Sequence, residues 1–183
     1  LQGNLFHNHT PVVSLEQIQE YYLSSVGYGV TPLMNVSPNV RGLIDEGTME
    51  RLAEFKVWVD GLHSRDLTRS SHVTASSSSY RGKDHAYAPH MAMDGDFETY
   101  FATDDAVRSA VIEIDLGKVQ EMDGFIIQEY IPLGQRVDGY TIECKVNGQW
   151  KEVFAGRHIG YKRIILEGRA SATDTSFPAS DGV

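Results

Sequence analysis

Hydrophobic residues recur along this chain with two different periods, and the change from one to the other divides it. Ser14-Leu15-Glu16-Gln17 has the layout of a capping box, with a hydroxyl at the helix cap and an amide three residues on. Leu15, Ile18, Tyr22 and Val26 then fall three or four apart, one face of a helix, and Gly27 suits its left-handed stop. Val30-Thr31-Pro32-Leu33-Met34-Asn35-Val36 is a short apolar run closed by Ser37-Pro38, and it predicts a strand buried on both faces. Beyond the Arg41-Gly42 turn, Leu52, Phe55, Val59 and Leu62 mark a second helix that should fray at Gly61 and Ser64. Helix, buried strand, helix is the order of an α/β fold. One strand cannot make a sheet, so residues 1–66 are expected to be an α/β fragment of something larger.

From about Ser70 the period is two. Ala110, Ile112, Ile114 and Leu116 alternate with Val111, Glu113 and Asp115, and Gly117 closes that strand. Phe125 to Tyr130 predicts another. Tyr140, Ile142, Cys144 and Val146 alternate with Thr141, Glu143 and Lys145 up to Asn147-Gly148, the strongest short hairpin signal, with Trp150 to Phe154 returning. Tyr161 to Leu166 makes one more. Short strands at turn-punctuated intervals predict an all-β sandwich.

Composition narrows the partners. The net charge of −9 over 183 residues disfavours nucleic acid or an anionic membrane as partner, and no apolar run is long enough to span a bilayer. The single cysteine, Cys144, excludes an internal disulfide and is expected to be a buried, inert thiol. No signal peptide opens the chain, and a first residue of Leu predicts processing or excision from a longer protein. His7 and His9 lie on one side of an extended entry segment, where zinc or copper competes with plain polar or sugar-contacting roles.

The candidate chemistry centres on Met93-Asp94-Gly95-Asp96-Phe97-Glu98-Thr99-Tyr100-Phe101. Asp94, Asp96 and Thr99 can offer oxygen atoms to a hard cation such as calcium, and Gly95 permits the turn between them. The same residues also describe a solvated turn in which the Asp side chains bond their own backbone. The spacing is not that of an EF-hand.

Both halves carry resemblances. Ala92-Met93-Asp94-Gly95-Asp96 with Thr99-Tyr100, Ile114-Asp115-Leu116-Gly117-Lys118 and Gly148-Gln149-Trp150 resemble the F5/8 type C (discoidin-like) jelly-roll, which includes carbohydrate-binding modules of family 32. Leu5-Phe6-His7, Tyr22-Leu23-Ser24-Ser25-Val26-Gly27, Leu33-Met34-Asn35-Val36-Ser37-Pro38, Arg41-Gly42-Leu43-Ile44 and Arg51-Leu52-Ala53-Glu54-Phe55 resemble the end of the (β/α) catalytic barrel of family 29 α-L-fucosidases. Gln128-Glu129-Tyr130-Ile131, Gly134-Gln135-Arg136 and Ile159-Gly160-Tyr161-Lys162-Arg163 are similar to the jelly-roll appended to such enzymes.

The resemblance implies a barrel segment over 1–66, a linker over 67–69 and a jelly-roll over 70–183 that lacks its last strands. It implies a secreted or periplasmic retaining glycosidase that acts on α-linked fucose through an Asp nucleophile and a Glu acid/base, with fucosylated or galactose-containing glycans as partners. In the family that pair precedes the stretch matched by Leu5-Phe6-His7, and this chain has no Asp or Glu before Glu16. The chain alone is therefore expected to be inactive. The resemblance also implies a partial calcium site, from the side chains of Asp94 and Thr99 with carbonyls near Met91, Asp96 and Thr99. The candidates for sugar contact are His7, His85, Tyr87, His90, Arg108 and Tyr130. A non-catalytic glycan-binding module and a purely structural brace are the alternative readings of the β part. A sugar-binding module needs an exposed aromatic with polar neighbours on one loop rim, whereas a brace would have Tyr87 and Tyr130 buried or isolated.

Overall fold

The computed structural model describes residues 12–82 and 85–167. Two compact units divide the chain, Leu1–Asp66 and Leu67–Val183. Among the described residues no helix is long and apolar enough to cross a membrane.

The first unit holds helices α1 (Leu15–Ser25) and α2 (Glu46–Leu62). The capping box forms in both directions: Gln17 N–H donates to Ser14 Oγ at 3.3 Å, and Ser14 N–H donates to Gln17 Oε1 at 3.2 Å. Ile18, 1% exposed, is the buried centre of the apolar face. Tyr22 joins the two helices, packing edge-on to Phe55 at 5.7 Å and to Trp58 at 5.6 Å, with its hydroxyl 3.0 Å from His63 Nε2. Burial pushes its phenol pKa up. Before α2, Asn39 builds the turn. Its Oδ1 accepts from Arg41 N–H and Leu43 N–H at 2.9 and 3.1 Å, and its Nδ2 donates to Asp45, the cap of α2, at 2.9 Å.

Two expectations fail in this unit. Gly27 is not the helix stop; it lies inside a 3₁₀ turn, Val26–Tyr28, and Gly29 takes the left-handed conformation at φ +76°. Residues 30–36 form no strand. They join no ladder, and Val30 is 60% and Leu33 99% exposed. A strand buried on both faces needs neighbours on both sides, and the described residues of this unit supply none.

The described residues of the second unit form three antiparallel pairs. Strand β1 (Thr74–Ser76) pairs with β2 (Glu113–Asp115), β3 (Gly124–Ile127) with β6 (Arg163–Leu166), and β4 (Tyr140–Val146) with β5 (Gln149–Gly156). The Asn147-Gly148 turn adopts φ of +53° and +81°, both left-handed, as a two-residue hairpin requires. A bulge between Ile142 and Glu143 shifts the register, so Ile142 faces Phe154 while Glu143 faces Glu152. Ala88, Phe154 and Ile165 are the buried apolar centre. Tyr140 stacks on Phe154 at 5.9 Å and covers its partner Gly156, where a Cβ would come within 2.8 Å of the ring. After β2, Asp115 Oδ1 accepts from Gly117 N–H at 2.8 Å and turns the chain.

These small sheets agree with a β-sandwich, although the strands are shorter than the alternation suggests. Strand β3 stops at Ile127, so Tyr130 lies beyond it, ahead of a 3₁₀ turn at Ile131–Leu133. Cys144 is half-buried rather than buried, and burial still raises its thiol pKa.

Candidate functional site

The acidic loop follows a 3₁₀ turn, Pro89–Ala92, that Pro89 favours by fixing its own φ. Met93 N–H closes the turn on His90 O at 3.0 Å, and Gly95 then takes φ +74°. Asp94 is the hub. Its Oδ1 accepts from Asp96 N–H at 2.9 Å and its Oδ2 from the Thr99 hydroxyl at 2.6 Å. The Thr99 Oγ1 also lies 3.0 Å from Asp96 O, so a carboxylate, a hydroxyl and a carbonyl oxygen converge. The Thr99 hydrogen bond, then the Asp96 amide and the charges of Arg69 and His90, hold the Asp94 carboxyl below its ordinary range despite some opposing burial.

Asp96 enters through its carbonyl; its carboxylate instead caps Glu98 N–H at 3.0 Å. Met91, half-buried, sits on the preceding turn. Among the described residues no group of three or more His, Cys, Asp or Glu side chains gathers for a metal. The donors offered here are hard oxygens of mixed kind, which suit calcium better than zinc.

The second feature is aromatic. Tyr100 and Tyr130 stack face to face, 4.4 Å apart and 13° from parallel, and Tyr87 tilts against Tyr100 at 5.3 Å. All three are half-buried. Burial beside its neighbours raises the Tyr100 phenol pKa, and a hydrogen bond with Tyr87 adds to this. The backbone ties the platform together, since Ala102 N–H donates to Tyr87 O at 3.4 Å and Arg81 N–H to Ala102 O at 2.8 Å. Tyr130 owes its place to Glu129. That carboxylate accepts from Arg136 N–H at 2.7 Å and Val137 N–H at 2.9 Å through Oε1, and from Gly160 N–H at 2.7 Å through Oε2. Two loops are stapled beside Tyr130.

The structure thus joins Tyr87 to Tyr130 through Tyr100. His85 is exposed at φ +63°, with its ring stacked at 6.2 Å on Tyr80 instead. His90 is exposed on the turn ahead of the acidic loop. Arg108 is exposed before β2, and among the described residues no hydrogen bond, ion pair or ring contact ties it to the tyrosines. His7 lies outside the described residues. Tyr100, Glu129 and Arg69 were missed as site residues. Tyr100 stands one residue after Thr99 in the loop motif, but nothing in the period of the chain shows that its ring meets Tyr130.

Known proteins resemble the chain across both units. The alpha-L-fucosidase 1 of Arabidopsis thaliana is 29% identical over 152 residues, covering 81% of this chain and 30% of that protein. A relative from Oryza sativa subsp. japonica, named for the same activity, is 30% identical over 171 residues, covering 91% of this chain and 33% of its own. The chain therefore spans about a third of the length of these curated relatives. Among solved structures, a Ruminococcus gnavus GH29 fucosidase in complex with fucose matches at TM-score 0.79 and 32% identity, over 90% of this chain and 33% of that one. SpGH29 matches at TM-score 0.80 and 30% identity, over 91% and 36%. The F5/8 type C domain model matches residues 72–177, more than half of the sequence, and the chain belongs to that family.

Proposed function

We propose that this chain is part of an α-L-fucosidase of the retaining type, with a β unit that holds glycan near the enzyme. The observation that carries the reading is the match to a GH29 fucosidase solved with fucose, which extends over 90% of this chain at 32% identity. In such an enzyme two carboxylates about 5–5.5 Å apart divide the work, one attacking the sugar and one protonating the leaving oxygen. That pair is proposed to lie in the preceding polypeptide, and the secreted or periplasmic setting is part of the same proposal.

The first unit supports the reading as the end of a barrel. An open apolar groove of about 260 Å³, lined by Tyr22, Pro32, Met34, Phe55 and Val59, runs beside the exposed segment that carries Val30 and Leu33. The rest of the barrel would cover this apolar surface.

An assay with an aryl α-L-fucoside tests the enzyme reading. The 183-residue chain should release nothing above buffer, whereas the longer polypeptide carrying the carboxylate pair should turn over. Release by the chain itself, lost on mutating one of its own residues, would overturn the assignment.

In the β unit the Tyr87–Tyr100–Tyr130 rings are half-buried, neither exposed as a binding platform requires nor sealed or isolated as a brace requires, and we propose the glycan-binding reading for them. An aromatic face with a few fixed polar groups is what a sugar's apolar face requires. Tyr130→Ala should weaken binding of fucose or galactose about tenfold, read by saturation-transfer NMR. Unchanged binding would favour the brace.

Calcium is proposed for the acidic loop. Asp94 Oδ2, Thr99 Oγ1 and Asp96 O fit as three of its oxygen ligands, with the carbonyls of Met91 and Thr99 as further donors. When bound, the ion would fasten the loop and neutralise its carboxylate.

A further inference from the structure

Arg69 lies in the 3₁₀ turn Leu67–Arg69, at the start of the second unit, and reaches the acidic loop from outside it. Its Nη1 donates to Met93 O at 3.1 Å. Its guanidinium also fills the space that a side chain at Gly95 would take. A Cβ there would stand 1.3 Å from Nη2, 2.1 Å from Cζ and 2.4 Å from Nη1. The fork is thus pressed against the loop at the point where the backbone turns left-handed, with φ +74° at Gly95. Its charge reaches Asp94 and helps to hold that carboxyl ionised. Both Asp94 oxygens nevertheless bond within the loop, to Asp96 N–H and to the Thr99 hydroxyl.

We infer that Arg69 is the positioning residue of the ion loop, anchoring Met93 and Gly95 so that Asp94, Asp96 and Thr99 converge before any cation arrives. Two effects oppose each other. A guanidinium near a calcium site repels the ion, and that repulsion is screened at an exposed loop. The opposing gain is conformational: fixing a residue costs backbone entropy, and a loop ordered in advance spares the ion that cost. We weigh the gain above the repulsion because the guanidinium bonds Met93 O and lies over Gly95, while Asp94, Asp96 and Thr99 bond one another within the loop. A lysine would keep the charge but not the flat face that fits over Gly95.

The role rests on the calcium reading, and the test separates the two. The full 183-residue chain is titrated with terbium, with tyrosine-sensitised luminescence as the readout, and calcium is used to displace it. Thermal unfolding is followed in excess calcium and in chelator. We expect Arg69→Ala to bind calcium about tenfold more weakly and to lose most of the calcium-induced rise in Tm. Arg69→Lys should fall between Arg69→Ala and wild type, and it carries the test if the alanine variant does not fold. Gly95→Ala should weaken binding in wild type by at least about fivefold more than it does in the Arg69→Ala background, because the colliding guanidinium is then gone. Wild-type affinity in Arg69→Ala, or tighter binding, overturns the role of Arg69 and leaves the calcium reading standing. Absence of binding by the wild-type chain and by the longer polypeptide alike overturns both.

Discussion

Glu129→Ala should lower the unfolding temperature of the β unit by about 10 °C. The carboxylate accepts three backbone N–H bonds, from Arg136, Val137 and Gly160, at 2.7–2.9 Å. A hydrogen bond to a charged group contributes about 1.5–3 kcal/mol when well shielded. Glu129 is half-buried and water can replace part of what is lost, so the three together are worth about 2–3 kcal/mol, not their full sum. For a domain of roughly 100 residues, 1 kcal/mol shifts Tm by about 4–8 °C. Glu129→Gln keeps one acceptor oxygen and should recover about half of the loss. Amide exchange at residues 136, 137 and 160 gives the local readout, since those protons should exchange faster in the alanine variant. A Tm within about 2 °C of wild type, with protection unchanged, would show that the staple is not holding the loops.

Gly124→Ala should be at least as damaging, by a different route. Gly124 faces Leu166 in the β3–β6 ladder, and a Cβ there would sit 2.1 Å from Ile165 O and 3.0 Å from Leu166 Cα. Backbone cannot rotate away as a side chain can, so the two strands must part. Overpacking a tight site costs about 1–3 kcal/mol and occasionally more. Here the upper end is expected, because Ile165 is one of the few buried apolar residues described in the unit. Gly139→Ala is the internal control. Gly139 is exposed, has no positive φ and has only Gly156 O, at 3.9 Å, near its would-be Cβ, so a change within about 0.5 kcal/mol is expected. Denaturant midpoints for the two variants distinguish the mechanisms. Equal midpoints would mean that the close approach at Gly124 relaxes without cost.

The features that were legible are those fixed over short separations. Ser14 and Gln17 are three residues apart and form the capping box that their spacing predicts. Asn147-Gly148 forces a left-handed two-residue turn, and the flanking alternation of β4 and β5 follows from it. Asp94, Asp96 and Thr99 close on one another because the loop between them is short. Motif resemblance reaches further than periodicity, because short stretches of both units resemble fucosidases.

The failures share one cause. Val30 to Val36 reads as a buried strand because apolar composition cannot say whether neighbouring strands are present, and in the described residues of that unit they are not. Gly27 and Gly29 are equally able to stop a helix, and an intervening 3₁₀ turn chose the second. The sequence by itself determined the caps, the hairpin, the switch of period near Ser70 and the local donors of the acidic loop. Only the tertiary structure decided which distant groups meet: Tyr100 on Tyr130, Glu129 on Gly160, and Arg69 on Gly95. Each of those contacts joins segments more than twenty residues apart, and a period of two or of 3.6 residues carries no information on that scale.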